Sequence, residues 1–293
     1  MTVRYGICVP NLGEFADPRQ VGELARRAEE AGWDGFFVWD HVVFPYGELD
    51  VADPWVLLTV VAMETARIRF GPLVTPVARR RPGVLARQVT TLDRLSGGRL
   101  VLGAGLGFTL PAEFGTWGEP TEPRVVAQRL DESLAVLAGL WSGDRIDFHG
   151  EQVTAADVTF RPVPVQRPRP PVWIGCNWPN RRPLRRAAQW DGVVPQILGP
   201  DGSWQPTPAA VSEIVAAVSE QQAGGQQARG QRSGGAPFDV VITGRTQPDQ
   251  PSAAREVTGA IAAAGATWWL EGFRPQPGER DAARRRIEAG PPS

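Results

Sequence analysis

Short apolar runs alternate with helix-patterned stretches eight times along this chain, and that alternation restricts its fold more than any other feature. The first unit is the plainest. Residues 4–10 are an apolar run, Asp17 offers a cap, and Pro18 suits a helix's first position. Val21, Leu24, Ala25 and Ala28 then repeat at helical spacing, and Gly32 ends the turn. The pattern returns at 35–39, with Asp53-Pro54 as the next cap. It returns again at 68–75, before the stripe Leu85, Val89, Leu92 and Leu95, and at 99–106, before Val126, Leu130, Leu134, Leu137 and Trp141. Gly71-Pro72 inside the third strand predicts a bulge or an irregular exit. Residues 147–161 alternate polar and apolar around His149-Gly150 and predict an inserted hairpin after the fourth helix. Strands five to eight fall at 172–175, 192–197, 238–243 and 267–271, with helices at 181–190, near 208–222, at 252–264 and at 278–288. Strands alternating with helices predict a parallel sheet, and the count of eight favours a closed (β/α)8 TIM barrel over an open α/β sheet. Residues 1–293 therefore read as a single barrel domain, with 224–236, rich in Gly, Gln and Ser, as a flexible surface segment.

Composition removes several chemistries that such a barrel could host. All 31 basic residues are arginine, so Schiff-base catalysis, a pyridoxal phosphate anchor and a P-loop lysine are excluded. Two histidines make a histidine-rich metal site improbable, and no metal is expected; Cys8 and Cys176 cannot supply a disulfide framework. A net charge of -1 argues against nucleic acid as a partner, which leaves a small-molecule substrate. No run of about 18 apolar residues is present to span a membrane, and the first residues carry no leader pattern. The expected location is cytoplasmic.

Reacting groups in such barrels lie where strands run into the following loops. Those positions here are Asn11, Trp39-Asp40-His41, Val74-Thr75, the glycine run at 103–107, Cys176-Asn177-Trp178 and Glu271. His41 is the most informative, because an imidazole exchanges protons near neutrality and Asp40 stands beside it. His149, in the hairpin turn, reads as a solvated surface group. The glycine run would let a ring system approach the backbone, although it lacks the spacing of a dinucleotide fingerprint. Arg181, Arg182, Arg185 and Arg186 open the helix after strand five, where an anion would be favoured. Trp39, Trp178 and Trp269 stand near strand ends and could wall an aromatic pocket.

Three stretches, AGWDGFFVWDH at 31–41, LSGGRLVLGAG at 95–105 and RPRPPVWIG at 167–175, resemble the bacterial luciferase-like monooxygenases and reductases, barrels that use FMN or the deazaflavin coenzyme F420. The resemblance spans nearly the whole chain. It implies that Asp40 and His41 contact the cofactor ring, with His41 as the catalytic acid or base. It also implies a non-prolyl cis peptide near Leu73–Val74 and a phosphate held by backbone amides of Gly175, Cys176, Asn177 and Trp178. Val74, Thr75 and Gly105 complete the expected cofactor contacts; Asn11, Trp39, Phe108, Trp269 and Glu271, at or near strand ends, are the expected substrate pocket. Sugar-phosphate dehydrogenases of the family carry a glutamate where this chain has Phe108, and they use lysines that it lacks, so that substrate class is not expected. The expected activity is an F420-dependent reductase or dehydrogenase, or an FMN-dependent monooxygenase, in a homodimer formed through outer helices. The alternative is a catalytically silent flavin-binding protein of the same fold.

Overall fold

The computed structural model describes residues 3–107, 111–224 and 237–292. Nine parallel strands form one sheet: β1 (Arg4–Val9), β2 (Gly35–Val38), β3 (Arg69–Pro72), β4 (Thr75–Pro76), β5 (Leu102–Gly105), β8 (Val172–Asn177), β9 (Gly192–Gln196), β10 (Asp239–Gly244) and β11 (Trp268–Gly272). Their order is β3-β2-β1-β11-β10-β9-β8-β5-β4. β3 and β4 are two halves of one barrel stave, broken at the Leu73–Val74 cis peptide. The Phe70 amide donates to the Arg99 carbonyl at 3.3 Å and the Val101 amide to the Phe70 carbonyl at 2.9 Å, which closes the sheet. The result is the expected (β/α)8 barrel.

Each strand is buried on both faces, as parallel strands flanked by helices are. Cys8, Phe37, Leu73, Val101, Trp173, Val194, Val241, Trp268 and Leu270 fill the interior. Their neighbours Ile7, Val9, Phe36, Val38, Ile174 and Trp269 point outward into the helix layer. A methyl group on Gly71 would lie 1.8 Å from the Val101 carbonyl oxygen, so the third stave needs glycine there to close on its neighbour.

The outer helices are α1 (Pro18–Glu30), α2 (Pro54–Glu64), α3 (Pro82–Leu95), α4 (Pro123–Ser142), α5 (Arg182–Ala187), α6 (Pro208–Gly224), α7 (Pro251–Ala263) and α8 (Glu279–Glu288). Asp17 accepts from the Arg19 amide, and Asp53 from the amides of Trp55 and Val56, so both caps act where the sequence placed them. The inserted hairpin pairs β6 (Arg145–His149) with β7 (Thr154–Thr159) antiparallel. Glu132 of α4 accepts from the amides of Gln152 and Val153 and ties the hairpin to the barrel. Of the segment expected to be flexible, 225–236 lies outside the described residues.

Candidate active site

The site is built around the end of β2. Asn11, leaving β1, bridges two chain segments: its Nδ2 donates to the carbonyls of His41 at 2.8 Å and Ala52 at 2.7 Å, and its Oδ1 accepts from the His41 amide at 3.1 Å. This clamp fixes the backbone of His41. Asp40, beside it, is buried. Its Oδ1 accepts from Arg79 Nη2 at 2.9 Å and Arg80 Nη2 at 2.8 Å, while its Oδ2 accepts from Arg80 Nη2 at 2.7 Å and from the Thr75 hydroxyl. His41 Nδ1 lies 3.1 Å from Oε1 of Glu113, a carboxylate only 1% exposed. With Glu113 ionised, Nδ1 carries the donated hydrogen and Nε2 holds the basic lone pair.

Apolar surface surrounds this polar corner. Val74 is half-buried among buried neighbours, and methyl groups on Gly105 and Gly175 would come within 2.6 and 3.1 Å of its Cγ2. The two glycines let Val74 pack close against the ends of β5 and β8, an apolar floor at the barrel mouth. The Trp39 ring meets the His41 ring edge-to-face at 5.9 Å and that of Trp204 at 6.2 Å. Beneath, burial pushes the Cys8 thiol up to about 12, opposed by a hydrogen bond from Trp39. Trp204 donates to Gln196 Oε1 at 3.1 Å and lies under the Arg274 guanidinium at 4.3 Å. A methyl group on Gly272 would reach the Trp204 ring at 2.7 Å, so the indole lies against the end of β11.

The structure brings together Asn11, Trp39, Asp40, His41, Val74, Thr75, Gly105 and Gly175. Other expectations need correction. Trp269 and Glu271 do not line the mouth, because their side chains point outward. Glu271 accepts from the Thr246 amide and hydroxyl at 2.8 and 2.5 Å and from Trp269 Nε1 at 3.0 Å, a network behind the barrel wall. At Cys176, expected to contribute its amide, the side chain faces the helix layer, its thiol pushed up to about 12 by burial. Asn177 is exposed, but the Trp178 amide donates to the Gln196 carbonyl at 3.1 Å and Pro179 has no N–H, so the main-chain phosphate grip is incomplete there. Arg181 and Arg182 stand at the start of α5, a helix of six residues, with Arg185 and Arg186 in its last turn; Arg186 pairs with Asp131, and Arg181 with Glu213 at 3.6 Å. His149 is exposed beside Asp147, as a solvated group. Phe108 lies outside the described residues. Glu113, five residues further along the chain, is the carboxylate against His41. Among the described residues no three His, Cys, Asp or Glu side chains gather as a metal set, and no helix is long and apolar enough to cross a membrane.

The residues missed by sequence reasoning are Glu113, Arg79, Arg80, Trp204 and Arg274. The two vicinal arginines follow a strand end and were open to the same positional rule as His41. Glu113 and Trp204 lie deep within loops and carry no local signal.

A closed parallel barrel with a carboxylate-held histidine and an apolar floor at the C-terminal strand ends defines the class: a (β/α)8 barrel with its candidate site at the mouth. The luciferase-like monooxygenase family model matches residues 4–289, and the chain belongs to that family. It is 34% identical over 165 residues to an F420-dependent glucose-6-phosphate dehydrogenase of Amycolatopsis mediterranei, covering 55% of this chain and 49% of that protein. It is 36% identical over 166 residues to one of Rhodococcus erythropolis, covering 55% and 48%. The chain thus spans about half the length of the curated relatives it matches. Its fold is shared with an F420-dependent secondary alcohol dehydrogenase solved with an F420-acetone adduct, with a TM-score of 0.77, 17% identity, and coverage of 100% and 99%. A long-chain alkane monooxygenase structure matches with a TM-score of 0.75 and 14% identity over 98% and 91%.

Proposed function

We propose that this chain is an oxidoreductase that holds a deazaflavin or flavin ring against Val74 and uses His41 to exchange a proton with a small organic substrate. F420 is the preferred cofactor and FMN the alternative; the two F420-dependent relatives above support that order. When bound, reduced F420 is a hydride donor, whereas FMN with oxygen would serve oxygenation. The observation that carries the proposal is the His41–Glu113 contact beside the apolar floor, which puts a proton-exchanging group where a ring would lie. Val74, Gly105 and Gly175 would seat the ring, Asn11 holds the His41 backbone, and Trp39 keeps water from one side of the mouth. The Trp39–Trp204 wall suits an apolar or aromatic substrate body, and the absence of lysine still weighs against a sugar phosphate.

Titration of the purified protein with F420 and with FMN, followed by absorbance and fluorescence, tests the order of cofactors. Saturable F420 binding with weak FMN binding is expected; tight FMN binding alone reverses it. His41→Ala is expected to keep binding and lose turnover by about 100-fold or more. Unchanged reduced-cofactor consumption in that variant would remove His41 from the reaction. A homodimer belongs to the same proposal, because α2 is apolar nearly all round, with Val56 and Met63 56% and 67% exposed. Light scattering at twice the chain mass supports it, and a monomer mass refutes it.

A further inference from the structure

Two carboxylates and two guanidinium groups make one buried circuit at the mouth. Asp40 has no exposed side-chain surface, and the side chains of Glu113, Arg79 and Arg80 are 1%, 8% and 15% exposed. Four unit charges sum to zero there, the condition for keeping charges out of water. Arg79 is the member that connects the parts. Its Nη2 donates to the Asp40 carbonyl at 3.2 Å and to Asp40 Oδ1 at 2.9 Å, and lies 3.9 Å from Glu113 Oε2. The other oxygen of Glu113 faces His41 Nδ1.

We propose that Arg79 is a positioning residue for His41: it holds Glu113 in place as the acceptor that locks the imidazole as its Nδ1–H tautomer. Asp40 acts through the same circuit and not as a contact of the cofactor ring. Both its carboxylate oxygens are engaged by Arg79, Arg80 and Thr75, so it has the environment of an internal anchor. Among the described residues Arg79 is the arginine within ion-pair reach of Glu113. Without it, Glu113 is a buried carboxylate lacking a countercharge, which neutralises or turns away. Either response ends its hold on the Nδ1 hydrogen. The basic lone pair would then leave Nε2, the atom that the locked tautomer keeps for proton transfer.

The chain has two histidines, so side-chain 15N spectroscopy of histidine-labelled protein resolves the tautomer directly, with His149→Gln for assignment. The measurement needs no cofactor and no turnover, so its failure is distinct from failure of the proposed oxidoreductase reading. At a pH where both rings are neutral, His41 of the unaltered protein should show a protonated Nδ1. In Arg79→Gln the protonated signal should pass to Nε2 in most molecules, with Arg79→Lys intermediate, and Asp40→Asn should move it the same way. A protonated Nε2 in the unaltered protein overturns the proposal, as does an unchanged His41 pattern in folded Arg79→Gln. If Arg79→Gln does not fold, Arg79→Lys decides: a pattern identical to that of the unaltered protein counts against the positioning role. An unchanged pattern in Asp40→Asn removes Asp40 from the circuit's action on His41.

Discussion

Replacing Asp40 with alanine should unbalance the buried circuit by a full unit charge. Asp40 is within hydrogen-bond reach of Arg79, Arg80 and Thr75, and the carboxylate left nearby, Glu113, is 3.9 Å from Arg79. Two guanidinium groups would then share one countercharge in a region that water barely enters. Removing one partner of a buried ion pair costs about 3–5 kcal/mol, because the charge left behind is uncompensated. Unfolding entropy near the midpoint is about 2.1 cal/mol/K per residue, or about 0.6 kcal/mol/K for a chain of this length. The melting temperature should therefore fall by about 5–8 °C, read by circular dichroism alongside a urea titration. Asp40→Ala combined with Arg80→Met takes out one positive charge as well and restores the balance. The double variant should lose less than the sum of the two single variants, by about 1–3 kcal/mol. A loss below 1 kcal/mol in Asp40→Ala, or strict additivity in the cycle, would refute the reasoning that the four charges form one unit.

Three further outcomes are expected. Gly71→Ala, with a methyl group 1.8 Å from a carbonyl oxygen, should cost at least about 1–3 kcal/mol, whereas Gly259→Ala, in open space within α7, should gain up to about 1 kcal/mol; thermal melts of the pair compare them directly. Burial raises the Glu29 carboxyl, but hydrogen bonds from the amides of Ala66, Ile68 and Arg67 outweigh it and hold the group below its ordinary value. Its contribution is thus present above the unfolded glutamate value and lost as pH falls through the lower folded value, so Glu29→Gln should flatten the acid limb of urea midpoint against pH; an identical limb would count against it. Cys8 and Cys176, both buried with thiols pushed up to about 12, should resist a thiol reagent at neutral pH and react once urea unfolds the chain. Rapid labelling of folded protein would show that the barrel opens there.

Legibility in the sequence followed the range of the interaction. The caps Asp17 and Asp53 bond to amides two or three residues ahead, and local chemistry of that kind is written in consecutive letters. His41 was found because its position at a strand end is also a local property. Glu113 is 72 residues from His41, and Arg79 and Arg80 meet Asp40 across 39 and 40 residues, so their meeting depends on how staves lie side by side. Trp269 and Glu271 failed for a different reason. In the run Trp268-Trp269-Leu270, buried on both faces, apolar residues occupy both phases of the strand, and nothing local says which faces inward.

By itself the sequence determined the eight strand-helix units, the caps Asp17 and Asp53, the inserted hairpin and the polar strand ends, because periodicity and capping act over a few residues. The lack of lysine was likewise a property of composition alone. Only the tertiary structure decided which strand face points into the barrel and that Asp40 is enclosed by arginines. It also brought Glu113 to His41. Those outcomes come from closure, where the register of each parallel pair sets the phase of the next and brings distant loops together above one common floor.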